Sequence, residues 1–437
     1  MMNILHIAAH LGGGAGKAIS GIAIQGQQLF SDTHRILLLQ QPEKDGYVKE
    51  CDAQGIEIQL WTGDYELLRW ADVIVVSWWN HPAMAAFLQE LRRISAPLLL
   101  WSHINGCHYP ILPYDFASAF DGIMITSPYT LQNPHWRVSE RQAIQAEIVW
   151  GIGRFAPENI PVKTGYQNKD IFTIGYVGTL GYGKIHPRFV EYCNAVCHAV
   201  PEARFVLAGD PDAALARDLS AAGLSGRIEF TGYVSDVPAL MCSFDAFGYI
   251  LNPEHYGTTE NTILEAMACG IPVVAALQGA ERFIVPASAG VLVSSPEDYA
   301  VQMAFLWKHP ALREQLGRGA RAHVLQKYRS AENTTRFRGC CCRAMESTRK
   351  KHDFSIMGDT PWEWFLFCLD SGNRQRMETL RQALEAGDSS AGALLEHCPP
   401  ILWEDRKSSL RHFADVYPND RTLRMIREKM EVYQWQK

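Results

Sequence analysis

A chain of 437 residues is too long for one ordinary hydrophobic core and implies two domains plus additional material. Hydrophobic residues at 47% and charged residues at 20% exclude a disordered or low-complexity chain, and a net charge of -6 removes any global case for nucleic acid. No uninterrupted apolar run reaches the roughly 18 residues that a spanning helix needs.

The first residues, MMNILHIAAH, have no basic leader and run straight into a strand pattern, so a cytoplasmic location is expected. The eleven cysteines fit the same reading, since most are scattered singly through apolar stretches as reduced, buried thiols. Cys340, Cys341 and Cys342 are the exception, and without a spaced partner pair they do not make a zinc site.

After the strand NILHIA comes HLGGGAGKA, residues 10 to 18. A P-loop needs glycine where Leu11 stands and Ser or Thr where Ala18 stands, so a P-loop ATPase is excluded. The dinucleotide pattern needs glycine where Lys17 stands. What remains is a turn without Cβ atoms at Gly12, Gly13 and Gly14, opening into a helix whose free N–H groups face the space beyond the strand. A plain strand-to-helix turn explains this stretch equally well by itself.

Further strands read as RILLL, IEIQL, DVIVVS, PLLLWS, GIMIT and AEIVW, with helices such as HPAMAAFLQELRRI between them. A Pro- and Gly-rich linker, RFAPENIPVKTGYQNKD, follows. The rhythm restarts with IFTIGYVG, RFVLAG, RIEFTG, AFGYIL, IPVVAA and AGVLVS. Alternating strands and helices predict an α/β fold of two doubly wound, Rossmann-like domains with a ligand site in the cleft between them. From about Ser330 the strand signal stops, and PWEWFLFCLDS, RQRMETLRQALEAG and RTLRMIREKMEVYQW read as helices. The boundaries expected are 1–160, 171–337, and a helical extension over 338–437. Lys308 to Lys351 holds twelve Lys/Arg against three acids, a basic stretch that reads first as solvated helix faces and second, with the tail, as a peripheral membrane or partner contact.

Five blocks in order carry a family resemblance: IGYVGTLGYGK, PEARFVLAGD, RIEFTGYVSDVPALMCSFDAFGYI, YGTTENTILEAMACGIPVVA and SAGVLVSSPEDYAVQMAFLWKHPALREQLG. Residues 171–337 resemble the nucleotide-sugar domain of the GT-B glycosyltransferases, the retaining group called family 4. PLLLWSHINGCH and the glycine loop match the other half of that fold more loosely.

The resemblance implies a hexosyl transferase that takes a nucleotide-diphosphate sugar, UDP- or GDP-linked, as co-substrate, with no metal and no other cofactor. The acceptor would be a glycan, a lipid-linked molecule or a protein. Glu265 would accept from the ribose hydroxyls, a role that suits two carboxylate oxygens. Thr258 and Thr259 read as N-cap candidates with Glu260 as a first-turn acid, and Thr258, Asn261 and Glu265 as one helix face beside the donor diphosphate. Lys184 would neutralise the leaving group, next to Gly178 and Thr179. His103 would reach the transferring sugar, with His108 and His81 as lesser candidates, and Lys17 would add charge from the glycine loop. Trp78, Trp79 and Trp101 could stack on a sugar, although core packing is the commoner fate. GDPD at 209–212 reads as a turn rather than a metal site.

Three positions depart from the family pattern. Thr179 replaces the usual arginine, Gly257 replaces the usual first acid, and Glu281 lies near but off the position of a third. Glu254 and Glu260 are the acids nearest to the gap at Gly257. These departures keep open a catalytically weak sugar-nucleotide-binding subunit, and the fold keeps open an epimerase or phosphorylase.

Overall fold

The computed structural model describes residues 1–437 except 43, 92–93, 167–169, 348–351, 389, 397–406 and 436–437. By packing, the chain forms two compact units, Met1–Arg154 with Ala331–Lys437, and Phe155–Ser330.

The first unit contains β1 (Asn3–Ala8), β2 (Thr33–Leu38), β3 (Glu57–Leu60), β4 (Val73–Trp78), β5 (Leu98–Ser102), β6 (Gly122–Ile125) and β7 (Ala146–Ile148). They form one sheet in the order β3-β2-β1-β4-β5-β6-β7, parallel throughout. β4 and β5 are buried along their whole length, as the continuous runs VIVVSW and LLLWS require of strands covered on both faces. The helix Gly13–Phe30 crosses behind β1 with no Cβ at Gly21, where one would sit 2.4 Å from the Gly153 Cα.

The second unit contains β8 (Phe172–Val177), β9 (Ala203–Ala208), β10 (Ile228–Gly232), β11 (Ala246–Tyr249), β12 (Val273–Ala276) and β13 (Gly290–Val293), in the order β10-β9-β8-β11-β12-β13. All thirteen strands expected from the apolar runs are present. Strand order reverses between β1 and β4 in one sheet and between β8 and β11 in the other. At such a reversal the crossovers leave on opposite faces and open a crevice at the strands' carboxyl ends.

The helix Ser330–Glu346 brings the chain back to the first unit. The Asn333 side chain accepts from the Trp150 N–H at 2.8 Å and donates to the Trp150 carbonyl at 2.9 Å. Arg338 Nε pairs with buried Asp32 at 2.7 Å, and Phe337 stacks on His6. Cys340 and Cys341 are buried on this helix, and burial pushes both thiols up. The helices Pro361–Phe367, Ser371–Glu385, Leu410–Val416 and Arg421–Trp435 complete the unit. The packing division falls at Ser330, where the strand pattern stops, rather than at the expected domain end of 337, because the polar contacts of Asn333 and Arg338 lie on the first sheet's side. Residues 348–351 of the basic stretch lie outside the described residues.

His6 Nε2 and His34 Nδ1 meet at 2.9 Å inside this core, and burial lowers the pKa of both, His34 to about 4. A histidine that stays neutral when folded but titrates normally when unfolded stabilises the fold above its unfolded pKa, near 6.5, and loses that contribution as pH falls towards the folded value. His34 alone is expected to lower the unfolding free energy by about 2 kcal/mol between pH 7.5 and pH 5. Urea titrations at the two pH values, on the native chain and on His34→Gln, measure that difference.

Candidate active site

In the second unit, the reversal between β8 and β11 gathers a charged cluster. β8 is followed by Gly178, whose φ of +148° is a conformation that a side chain would strain, and the chain turns through exposed Thr179 towards Lys184. Lys184 is 23% exposed, and its ammonium lies 3.7 Å from Glu260 Oε2 and 5.6 Å from the ring centre of Tyr249, the last residue of β11. The Tyr249 hydroxyl donates to Glu260 Oε2 at 2.7 Å, and His255 Nδ1 lies 3.7 Å from Oε1. Tyr176 stacks on Tyr249 with ring centres 5.4 Å apart and donates to the Thr179 carbonyl.

Burial pushes the Glu260 carboxyl up, but the Lys184 ammonium, His255 and the Tyr249 hydroxyl outweigh it and hold the group below its ordinary value. Glu281, also buried, has no such surplus. Burial and then the Glu260 charge push it up to about 8, so it keeps its proton at neutral pH. The cluster thus holds one carboxylate, one carboxylic acid and one ammonium.

The helix expected to start at Thr258 starts at Asn261 and runs to Ala268, with Glu260 at its N-cap position. Thr258 and Thr259 precede it in the loop, so Thr258 does not share a helical face with Asn261 and Glu265. Glu260 stands at the boundary: its carboxylate folds back onto Lys184 and Tyr249, and its backbone, φ −71° and ψ 83°, lies outside the helical region. Asn261, Thr262 and Glu265 are half-buried along one side, whereas Ile263, Leu264, Ala266 and Met267 fill the core. The side carrying Glu265 and Asn261 is thus half-buried, unlike the core side of the same helix.

The volume above Gly257 is taken by Glu260 and His255. A Cβ there would lie 2.0 Å from Glu260 Oε1 and 2.5 Å from the His255 ring. The carboxylate of Glu260 occupies the space that a side chain at 257 would enter. Sequence spacing hid this because Glu260 reaches back over three residues. Asp212 caps the helix Ala213–Ala221 by accepting from the Leu215 N–H at 2.7 Å, as the turn reading of GDPD requires.

In the first unit, the helix Gly13–Phe30 begins directly after Gly12, with no side-chain cap and no acid in its first turn. Gly13 and Gly14 are exposed, and Lys17 is half-buried one turn on, its stem against Gly153. His103 follows β5 as expected. Its Nε2 is buried with no hydrogen-bond partner among the described residues, and burial lowers its pKa to about 3, leaving a neutral imidazole. His108 is held by Tyr129 at 3.1 Å. His81 packs on His10 and His412, and burial with those neighbours lowers it to about 2. Trp78 and Trp101 are fully buried and belong to the core, while Trp79 lies against His10 and His103. Asn80 was not singled out from the sequence; nothing in WWNHP marks it.

Residues 171–309 match the family described as glycosyl transferases group 1. Over this segment the chain is similar to group 1 glycosyltransferases. The chain is 29% identical over 228 residues to a GDP-mannose-dependent alpha-(1-6)-phosphatidylinositol dimannoside mannosyltransferase of Mycobacterium tuberculosis. The match covers 50% of this chain and 58% of that protein, so the chain spans somewhat over half the length of the curated relative. Among solved structures, a glycosyltransferase from Rickettsia africae aligns with TM-score 0.63 at 14% identity, over 79% of this chain and 99% of that one. HepE of Anabaena, in complex with UDP and glucose, aligns with TM-score 0.59 at 16% identity, over 78% and 99%. These likenesses show the two-sheet GT-B fold.

Two outcomes follow from the cluster. Because folded Glu281 holds a proton that the unfolded chain releases, stability falls as pH rises from about 4.5 through 8. Glu281→Gln is therefore expected to stabilise the protein by on the order of 3 kcal/mol at pH 8 and to leave it nearly unchanged at pH 5, measured by urea denaturation. Gly257→Ala is expected to drive the Glu260 carboxylate off Lys184 and destabilise by about 1–3 kcal/mol, read in the same titrations.

Proposed function

We propose that this protein transfers a hexose from a nucleotide-diphosphate sugar to an acceptor hydroxyl with retention of anomeric configuration and without a metal ion. The observation that carries the reading is Glu265 on the half-buried side of the helix Asn261–Ala268, inside the segment that matches the group 1 family, with Lys184 and Glu260 at that helix's start.

In this reading Glu265 accepts from the two ribose hydroxyls of the donor. The helix start at Asn261, with Thr258 and Thr259 in the loop before it, receives the diphosphate. Lys184 meets the negative charge that grows on the leaving phosphate, and Gly178 and Thr179 let backbone approach it. The bond from the anomeric carbon to the phosphate oxygen breaks as the acceptor oxygen forms its bond on the same face. The acceptor's proton passes to the departing phosphate, so no protein nucleophile is needed. Glu260 keeps Lys184 in place, and Glu281, protonated, avoids adding a second negative charge beside the donor.

The mycobacterial relative supports a GDP-linked mannose and a glycolipid acceptor as first choices, and HepE supports trying UDP-glucose beside them. No described helix is long and apolar enough to cross a membrane. The ten described cysteines are free, which supports a reducing, cytoplasmic setting.

The test is a thermal-shift panel of nucleotide sugars followed by transfer assays with radiolabelled donor. The preferred donor is expected to raise the melting point of the native chain. Glu265→Ala is expected to abolish that shift while the unliganded melting point changes little, and Lys184→Ala to slow transfer by roughly a hundredfold. A full donor shift in Glu265→Ala would remove the basis of the assignment.

A further inference from the structure

The charged cluster at the start of the helix Asn261–Ala268 is layered. Lys184 is its outer member, with 23% of its side chain exposed, whereas Glu260 behind it is 7% exposed and the rings of Tyr176 and Tyr249 are buried. An anion arriving from solvent meets the ammonium before it meets the carboxylate. The pair is also long, 3.7 Å from Nζ to Oε2 against roughly 2.8 Å for a closed charge-assisted bond.

One partner can move and the other cannot. The Lys184 backbone is pinned, its N–H donating to the Gly181 carbonyl at 2.9 Å and its carbonyl accepting from the Asn252 N–H at 2.8 Å, which leaves a flexible stem to redirect the charge. The Glu260 carboxylate is held at Oε2 by the Tyr249 hydroxyl at 2.7 Å, and Oε1 fills the volume above Gly257, 3.7 Å from His255 Nδ1. That nitrogen accepts from the Gly257 N–H at 3.0 Å, so the imidazole in this arrangement is neutral. Tyr176 and Glu281, which also act on Glu260, bring no positive charge. Among the described residues acting on Glu260, Lys184 alone is a permanent cation.

Glu281 shows what this interior does to a carboxyl with no ammonium at ion-pair distance among the described residues: burial and then the Glu260 charge push it up to about 8. A Glu260 that has lost Lys184 to an incoming anion stands in the same position.

We infer that the donor diphosphate and a proton bind together. The diphosphate draws the Lys184 ammonium away from Glu260, and one proton from solvent forms an O–H bond at Oε1, the oxygen that the Tyr249 hydroxyl leaves open. This coupling, which rests on the transferase reading for the place of the diphosphate, puts donor affinity under the control of pH. Because the bound form holds one proton more than the free form, the dissociation constant rises by up to about tenfold per pH unit through neutrality.

A nucleotide sugar suits the measurement because its diphosphate, esterified at both ends, has no proton of its own to exchange near pH 7. GDP-mannose and UDP-glucose, and failing these the donor that the thermal-shift panel selects, are titrated calorimetrically into the full-length protein at pH 7 in buffers of different ionisation heat. The slope of observed heat against ionisation heat counts the protons exchanged. The native chain is expected to take up about one proton per donor. Glu260→Gln, whose amide oxygen can still accept from Tyr249, is expected to bring the uptake near zero and to flatten the affinity profile between pH 6 and pH 8. His255→Asn, which keeps an acceptor for the Gly257 N–H, is expected to leave both unchanged. If Glu260→Gln does not fold, the infrared difference spectrum of the native chain decides: donor binding is expected to convert a carboxylate band into the carbonyl band of a carboxylic acid, and absence of that change overturns the inference. Donor binding without proton uptake, or uptake that survives Glu260→Gln, overturns it too and leaves the transferase reading intact. Failure of every nucleotide sugar to bind removes both.

Discussion

Reversal of strand order in a parallel sheet is the constraint on which the polar clusters of both sheets depend. Strands on either side of the reversal send their connections to opposite faces, so no helix covers the gap at their carboxyl ends. In the first sheet that gap receives His10, Asn80 and the start of the helix Gly13–Phe30; in the second it receives Lys184, Tyr249 and Glu260. Buried strands such as VIVVSW provide rigid ground beneath, and the chemistry sits on the turns above.

Charge is balanced with few groups in the second unit. A buried carboxylate is tolerated only where it is paired and hydrogen-bonded, and Glu260 has an ammonium and a phenol hydroxyl for that purpose. With Glu260 ionised, its neighbour Glu281 retains a proton. The Glu260 carboxylate occupies the volume that a side chain at 257 would enter. A departure from the family's linear spacing is thus compatible with a charged group beside Lys184.

The tail has a different logic. Its helices bury aromatic side chains such as Trp364, Phe365 and Phe413 against the first unit, and the edge contacts of Phe365 with Phe413 and Tyr109 tie the layers together. Anchored in this way, the short segment from Lys407 to His412 is held where the sheet's crevice opens, with Lys407 against His10, rather than trailing in solvent. The Asn333 and Arg338 contacts perform the earlier step, turning the chain back to the first unit before the tail begins.

Period-two and continuous apolar runs made every strand legible, because burial on a sheet imposes its pattern residue by residue. The five ordered blocks made the second domain's family legible, and the positions of His103, Lys184 and Glu265 at strand ends or on the following helix could be read from the same runs. Glu260 was legible only as one of two acids near Gly257, with nothing in the spacing to choose it over Glu254. Asn80 reads like any polar residue after a strand, and Lys407 like part of a helical appendage. What the sequence by itself determined was the alternation of strands and helices, and with it which residues stand near the carboxyl end of each strand. Only the tertiary structure decided which charges meet, since a side chain folding back across three residues and a tail returning over three hundred are set by packing and desolvation, which leave no periodic trace along the chain.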